Sequence, residues 1–199
     1  MATPISRRAL FRLRPADVLF LVRESRQGDG GESCQPKPWR PPGAVDSEDE
    51  FLSLCERCGK CSEACPHDVI SHLGPAAGPA EATPIIDPIK NPCRWCTTMD
   101  CIRACPSGAL RFDTNGGVDP IGKASLNLDT CLTGQGILCD TCAQVCPSTI
   151  EAIRMRNNRP ELDVERCTGC GMCAYYCESD PVSITMQPEA RKSHTETAE

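Results

Sequence analysis

Sixteen of the seventeen cysteines fall into four groups of four: Cys55, Cys58, Cys61, Cys65; Cys93, Cys96, Cys101, Cys105; Cys131, Cys139, Cys142, Cys146; and Cys167, Cys170, Cys173, Cys177. Thiolates so closely spaced serve a disulfide scaffold, structural zinc or iron–sulfur clusters. An odd total of 17 fits poorly with a fully disulfide-bonded scaffold. Structural zinc uses two Cys-x2-4-Cys pairs a dozen or more residues apart, often with histidine. Here each group is compact, and His67, His72 and His194 stand outside the ligand pattern. A zinc-binding interaction scaffold is therefore only the second alternative. The first and fourth groups read Cys-x2-Cys-x2-Cys-x3-Cys. Three thiolates at that spacing wrap one [4Fe–4S] cube, and in two-cluster ferredoxins the fourth serves the partner cube. Such a loop must carry its backbone close to the cube, which Gly59, Gly169 and Gly171 permit.

The other two groups are variants of the same pattern. The second is Cys-x2-Cys-x4-Cys-x3-Cys, and the third opens with seven residues, Leu132 to Leu138, containing Gly134 and Gly136. Pro66, Pro106 and Pro147 follow the fourth cysteine of the first three groups, while Glu178 takes that place in the last. Insertions of this kind keep the ligand count and change solvent exposure and hydrogen bonding, which set reduction potential. All sixteen cysteines are thus expected to be metal ligands for up to four [4Fe–4S] clusters. Cys34 is left as an unassigned free thiol. Which groups pair is open: first with second and third with fourth, or a nested order.

The elements that position these loops repeat as well. Successive groups begin 38, 38 and 36 residues apart, an internal repeat. Between them lie short apolar pairs and extended segments, so each unit reads as strand, cysteine loop, short helix, strand. Helical turns are expected near Ser62–Ala64, Ile102–Ala104, Ala143–Val145 and Ala174–Tyr176. The fold class is α+β, with tandem ferredoxin-like modules at 51–80, 84–115, 122–155 and 158–187. Residues 1–50 read as an irregular leader and linker, rich in proline and glycine from 26 on, and 188–199 as a mobile polar tail. Trp39 either packs on the first module or docks a partner.

Composition agrees with a fold built around inorganic centres. Only 4% of the chain is aromatic, so cluster binding must supply much of the folding free energy, and the metal-free chain should be largely unfolded. A net charge of −6 argues against nucleic acid, which demands a basic face. Loaded with four oxidised cubes the charge becomes about −14, which favours basic partner surfaces. No apolar stretch is long enough to cross a membrane. Ser6-Arg7-Arg8-Ala9-Leu10-Phe11 is similar to a twin-arginine export signal. Its longest apolar run, however, is the five residues Val18 to Val22. The leader is therefore expected to be retained and the protein to be cytoplasmic. No acid–base constellation, phosphate loop or nucleotide fingerprint is present, so the chain does not read as an enzyme.

Ser6-Arg7-Arg8, Arg40-Pro41-Pro42 before an acidic stretch, Phe51-Leu52 leading into the first group, and the stretched third group together resemble the NapF family of ferredoxin-type proteins. The similarity covers nearly the whole chain, although the x4 spacing of the second group departs from the compact x2. NapF proteins are accessory proteins of periplasmic nitrate reductase. The resemblance implies iron–sulfur-dependent maturation of the catalytic subunit, whose precursor would be the partner, in the cytoplasm before export. It also implies partner binding through Arg7 and Arg8. The alternative is an exported electron carrier related to NapG or MauM, working between a quinol-oxidising module and a reductase.

Overall fold

The structure, a computed structural model, describes residues 38–188. Arg7, Arg8, Cys34, the rest of the leader and residues 189–199 lie outside the described residues. Short elements alternate with cysteine loops in two consecutive modules. The first contains α1 (Glu48–Leu54), α2 (Lys60–Glu63), β1 (Ile70–His72), a 3-10 segment (Pro75–Ala80), β2 (Pro84–Ile86) and α3 (Asp100–Arg103). The second contains β3 (Gly122–Leu126), α4 (Thr141–Gln144), β4 (Ile153–Arg156), β5 (Arg159–Leu162), α5 (Met172–Tyr175) and β6 (Ile184–Pro188). Small α and β pieces of this kind match the expected mixed class.

The modules share one plan. Each has a central antiparallel hairpin between its two cysteine groups: β1 with β2, where Ile70 faces Ile86, and β4 with β5, where Ile153 faces Leu162. The second hairpin closes through Asn157 and Asn158, both at positive φ, as the twist-matched two-residue turn requires. Each module also joins the chain before its first group to the chain after its last. In the second module this is the β3–β6 pair, running from Gly122 opposite Pro188 to Leu126 opposite Ile184. In the first it is a single bridge, Ala44 to Leu110.

Packing explains the dependence on cysteine. The first core gathers Phe51, Ile70, Ile86, Trp95, Ile102 and Leu110 with buried Cys61 and Cys93. The second has only Ala124, Ala152, Ile153, Ala174 and Ile184 as its buried carbon side chains, alongside Cys142, Cys167 and Cys173. Alanine buries little area, so this module gains little from hydrophobic burial alone.

Two boundaries differ from the sequence reading. Residues 38–50 are not linker: Arg40, Pro41, Pro42 and Val45 are buried, and α1 begins at Glu48, across the expected boundary at 50. Ser47 caps α1 by accepting a hydrogen bond from the Glu50 N–H at 3.4 Å, and Glu48, Asp49 and Glu50 fill its first turn, where the helix dipole favours acids. The acidic run belongs to a helix start. The tail boundary at 188 also falls within structure, because Pro188 is the last residue of β6, opposite Gly122. Trp39 joins the two modules: its backbone oxygen accepts from the Ile86 N–H of β2 at 2.8 Å, and its ring lies against Gly122 of β3, where a side chain would sit.

Candidate metal centres

The four short helices have one job in common. Each carries the third cysteine of its group at its second position: Cys61 in α2, Cys101 in α3, Cys142 in α4 and Cys173 in α5. Three of them start from a left-handed residue, Gly59 (φ 75°), Met99 (φ 46°) and Gly171 (φ 90°). That turn bends the loop back so that three thiols face one point. At Gly171 a side chain is excluded twice over, since a Cβ would also lie 2.1 Å from the Pro88 carbonyl oxygen.

Four cavities result, of about 310 to 360 Å³ counting space open to solvent. The first is lined by Cys55, Cys58 and Cys61 together with Cys105 of the second group. The second is lined by Cys93, Cys96 and Cys101 with Cys65 of the first group. Cys131, Cys139 and Cys142 share the third with Cys177, and Cys167, Cys170 and Cys173 share the fourth with Cys146. Every expected ligand therefore lines a cavity. The groups pair as neighbours, first with second and third with fourth, and the last cysteine of each crosses to its partner's cavity. His72 borders the first cavity and His67 the second.

The donor chemistry of these cavities fits a cube better than an ion. Among the described residues no three His, Cys, Asp or Glu side chains close tightly enough to hold a single metal ion. Four thiols around a roomier space are what a [4Fe–4S] centre requires. Backbone N–H groups already point at sulfur: Trp95 at Cys93, Leu110 at Cys105 and Ala124 at Cys167, each 3.4 Å from Sγ. The Thr168 hydroxyl is buried at the wall of the fourth cavity and has no hydrogen-bond partner among the described residues. It lies close enough to Cys170 to ease ionisation of that thiol, although no acceptor meets hydrogen-bond geometry. A buried orphan donor is costly unless something absent from the polypeptide accepts from it. A cluster sulfide is such an acceptor.

Without metal, these thiols resist ionisation. Burial is the main cause, and neighbouring cysteines add to it: Cys61 and Cys142 are pushed up to about 11, Cys93 and Cys101 to about 12. Burial also raises Cys96, Cys170 and Cys173. At Cys177 burial acts in the same direction, but hydrogen bonding to Ser179 and then Ser183 outweighs it and the thiol is lowered. The Ser179 hydroxyl stands 2.9 Å from Cys177 Sγ.

The modules touch through their ligand loops. The Cys93 N–H donates to the Cys170 carbonyl at 2.9 Å, and the Ile121 N–H to the Thr168 carbonyl at 2.9 Å. Arg94 reaches the Met172 sulfur at 3.0 Å and sits 6.0 Å from the centre of the Tyr176 ring. The Cys93 and Cys170 thiols are near enough to influence each other's ionisation, as are Cys142 and Cys173 within the second module. The cavities thus follow one another in the order first, second, fourth, third. Cys167, Cys170 and Cys173 of the fourth are all buried, whereas Cys58 at the first end is exposed. The sequence spacing did not disclose this order; the loop contacts at Cys93 and Cys170 do.

A multi-cluster iron–sulfur protein of ferredoxin type is what this fold and these cavities define. Models of the 4Fe-4S dicluster domain match residues 92–150 and 123–178, and one of the 4Fe-4S binding domain matches 51–71. The match at 92–150 joins groups two and three, one repeat out of step with the spatial modules; a periodic cysteine pattern permits that slide, and the shared cavities fix the true pairing. The chain is 39% identical to the methylamine utilization ferredoxin-type protein MauM of Methylobacillus flagellatus, over 92% of this chain and 83% of the relative. It is 36% identical to the ferredoxin-type protein NapG of Haemophilus influenzae, over 76% of this chain and 59% of that protein. The chain belongs to the NapG/MauM family of ferredoxin-type 4Fe–4S proteins. The resemblance to NapF holds at greater distance: the Escherichia coli NapF is 31% identical over 72% of this chain and 80% of that protein.

Proposed function

We propose that this protein is an electron carrier of the NapG/MauM type, passing single electrons between a quinol-oxidising module and a reductase. In this reading Cys55, Cys58, Cys61 and Cys105 hold the first cluster, and Cys93, Cys96, Cys101 and Cys65 the second. Cys131, Cys139, Cys142 and Cys177 hold the third, and Cys167, Cys170, Cys173 and Cys146 the fourth. The observation that supports it best is the unbroken row of four-thiol cavities, joined across the modules by the Cys93 to Cys170 hydrogen bond. When bound, the clusters supply one-electron redox chemistry. The polypeptide shields the middle of the row, spaces the centres and tunes them through N–H and O–H donors. No residue is assigned a catalytic role.

The carrier reading carries a compartment with it, because a carrier of this type works after export and the arginine pair Arg7-Arg8 is the feature that would direct it. A second reading, maturation of a nitrate reductase precursor in the cytoplasm, draws on the distant NapF relative and on the short apolar run of the leader. The test is fractionation of cells producing the tagged full chain, with iron analysis and reductive titration of the recovered protein. Exported protein with about 16 iron atoms that is reducible in several one-electron steps supports the carrier. Protein confined to the cytoplasm and co-purifying with the reductase precursor overturns it. Stoichiometric zinc without sulfide would favour the scaffold reading instead.

A further inference from the structure

Half of the exposed large hydrophobic side chains among the described residues surround the third cavity: Leu128, Ile137, Leu138 and Val182. Leu138, 81% exposed, directly precedes the cavity thiol Cys139. Ile137 and Leu138 end the seven-residue insertion that distinguishes this group. That insertion presses on the chain at Leu128, where a Cβ on Gly134 would lie 1.9 Å from the Leu128 carbonyl oxygen. Leu128 and Val182 lie two residues past Leu126 and Ile184, the last pair of the β3–β6 ladder, and between them the Asn127 N–H donates to the Ser183 carbonyl at 2.8 Å. Leu126, Ser183 and Ile184 line the cavity itself, so the apolar rim and the thiols form one continuous surface.

The charges in the segments that carry these apolar side chains have a single sign, while one cation, Arg159, adjoins the lining residue Pro160 on the outward face of the β4–β5 hairpin. Asp129, Asp140, Glu178 and Asp180 are exposed beside it, and none is in an ion pair among the described residues. No Lys or Arg occurs between Lys123 and Arg154, nor from Cys167 to Pro188. An apolar centre with an acidic border complements an apolar centre with a basic border. A second copy of this chain would bring two acidic borders together, and an anionic lipid surface would be repelled.

We infer that this face docks a redox protein of basic surface, one whose own prosthetic group lies under an apolar edge ringed by lysine or arginine. The third cavity is the end of the row that faces it. The inference rests on the electron-carrier reading and adds where the partner binds and what its surface is.

The test uses the cluster-loaded full chain and ferricytochrome c as a cationic probe with an exposed haem edge; an acidic flavodoxin is the opposite-charge control. Binding is followed by calorimetry at several salt concentrations. The expected result is binding to the cationic probe that weakens steeply with salt. The pair Ile137→Asn and Leu138→Asn, and separately Asp129→Lys with Glu178→Lys, each reduce affinity about tenfold or more. Ile89→Asn, an exposed apolar residue of the first module, leaves affinity unchanged. Iron content and visible spectrum establish that each variant is loaded, and Leu138→Gln alone replaces any pair that loses iron. The inference is overturned by absence of binding, by equal loss with Ile89→Asn, by indifference to the charge reversals, or by equal binding of flavodoxin. Leu138-dependent dimerisation in sedimentation or capture by anionic vesicles overturns it too. A chain that loads four clusters and accepts electrons from dithionite but does not bind the probe refutes the docking face alone. A chain that loads no iron refutes the carrier reading itself.

Discussion

Arg40 is 1% exposed and ties three parts of the first module together. Its guanidinium is paired with Glu48 at the start of α1, donates to Thr83 Oγ1 at 2.8 Å and to the Pro84 carbonyl at 2.9 Å, and lies 4.5 Å from the centre of the Phe51 ring. Phe51 and Pro84 are walls of the first cavity. Replacing Glu48 by alanine leaves the buried cation, among the described residues, with the neutral Thr83 and Pro84 acceptors and the Phe51 ring. Breaking a fully buried pair costs about 3–5 kcal/mol. The Glu48 side chain is 29% exposed, which water screening discounts to about 2 kcal/mol. If the first cavity loses its cluster through opening of these walls, 2 kcal/mol raises the open population about thirtyfold. Chelator-driven bleaching of the visible absorbance of Glu48→Ala should then show a fast phase of about one quarter of the amplitude, one cavity in four, about thirtyfold faster than wild type. Bleaching at the wild-type rate, or uniform acceleration across the whole amplitude, would refute the assignment of Arg40 as the clasp of that cavity.

Three further outcomes are expected. Thr168→Val removes the orphan hydroxyl at the fourth cavity and should lower that cluster's reduction potential by on the order of 50 mV, one hydrogen bond's worth, in an EPR-monitored titration; an unmoved potential would mean the hydroxyl does not face the cluster. Gly171→Ala sets a Cβ against the Pro88 carbonyl oxygen and should weaken magnetic coupling between the second and fourth clusters, at a cost of about 2–5 kcal/mol from the left-handed backbone and overpacking. Unchanged EPR line shapes would contradict so close an approach of the modules. Cluster loading should become more favourable as pH rises from 6 to 9. The metal-free thiols of Cys61, Cys93, Cys101 and Cys142, held at about 11 to 12 chiefly by burial, are protonated throughout that window and must release protons on ligation. Loading from a fixed cluster donor at stepped pH checks the sign.

Cysteine spacing and short extended segments made much of this molecule legible. Each expected helical turn appears within one or two residues, because the third cysteine of a group has to sit at a helix start for its thiol to point inward. The extended segments expected between the groups are present, as at Pro84–Ile86 and Gly122–Leu126, since Ile-rich and alternating runs leave few options between turns. Pairing was not legible: the period is the same for either order, and only contacts such as Cys105 against Cys61 resolve it. The helix α1 was hidden behind its own charges. Its sign in the sequence is Ser47-x-x-Glu50, a capping pattern just before Phe51 and Leu52. Nor does sequence announce that Arg40 is buried, because arginine is ordinarily a surface residue. The NapF resemblance reaches only the more distant relative, and the x4 spacing of the second group is the place where the sequence departs from the NapF pattern.

The crossing of the fourth cysteines is the point on which ligation, pairing and cluster order all turn. Single Cys→Ser variants at Cys58, Cys96 and Cys105, loaded anaerobically and compared by EPR and iron content, address it directly. The expected result is that Cys105→Ser loses the signal lost in Cys58→Ser and keeps the one lost in Cys96→Ser. Loss by Cys105→Ser of the Cys96 signal instead, with the Cys58 signal intact, would contradict it.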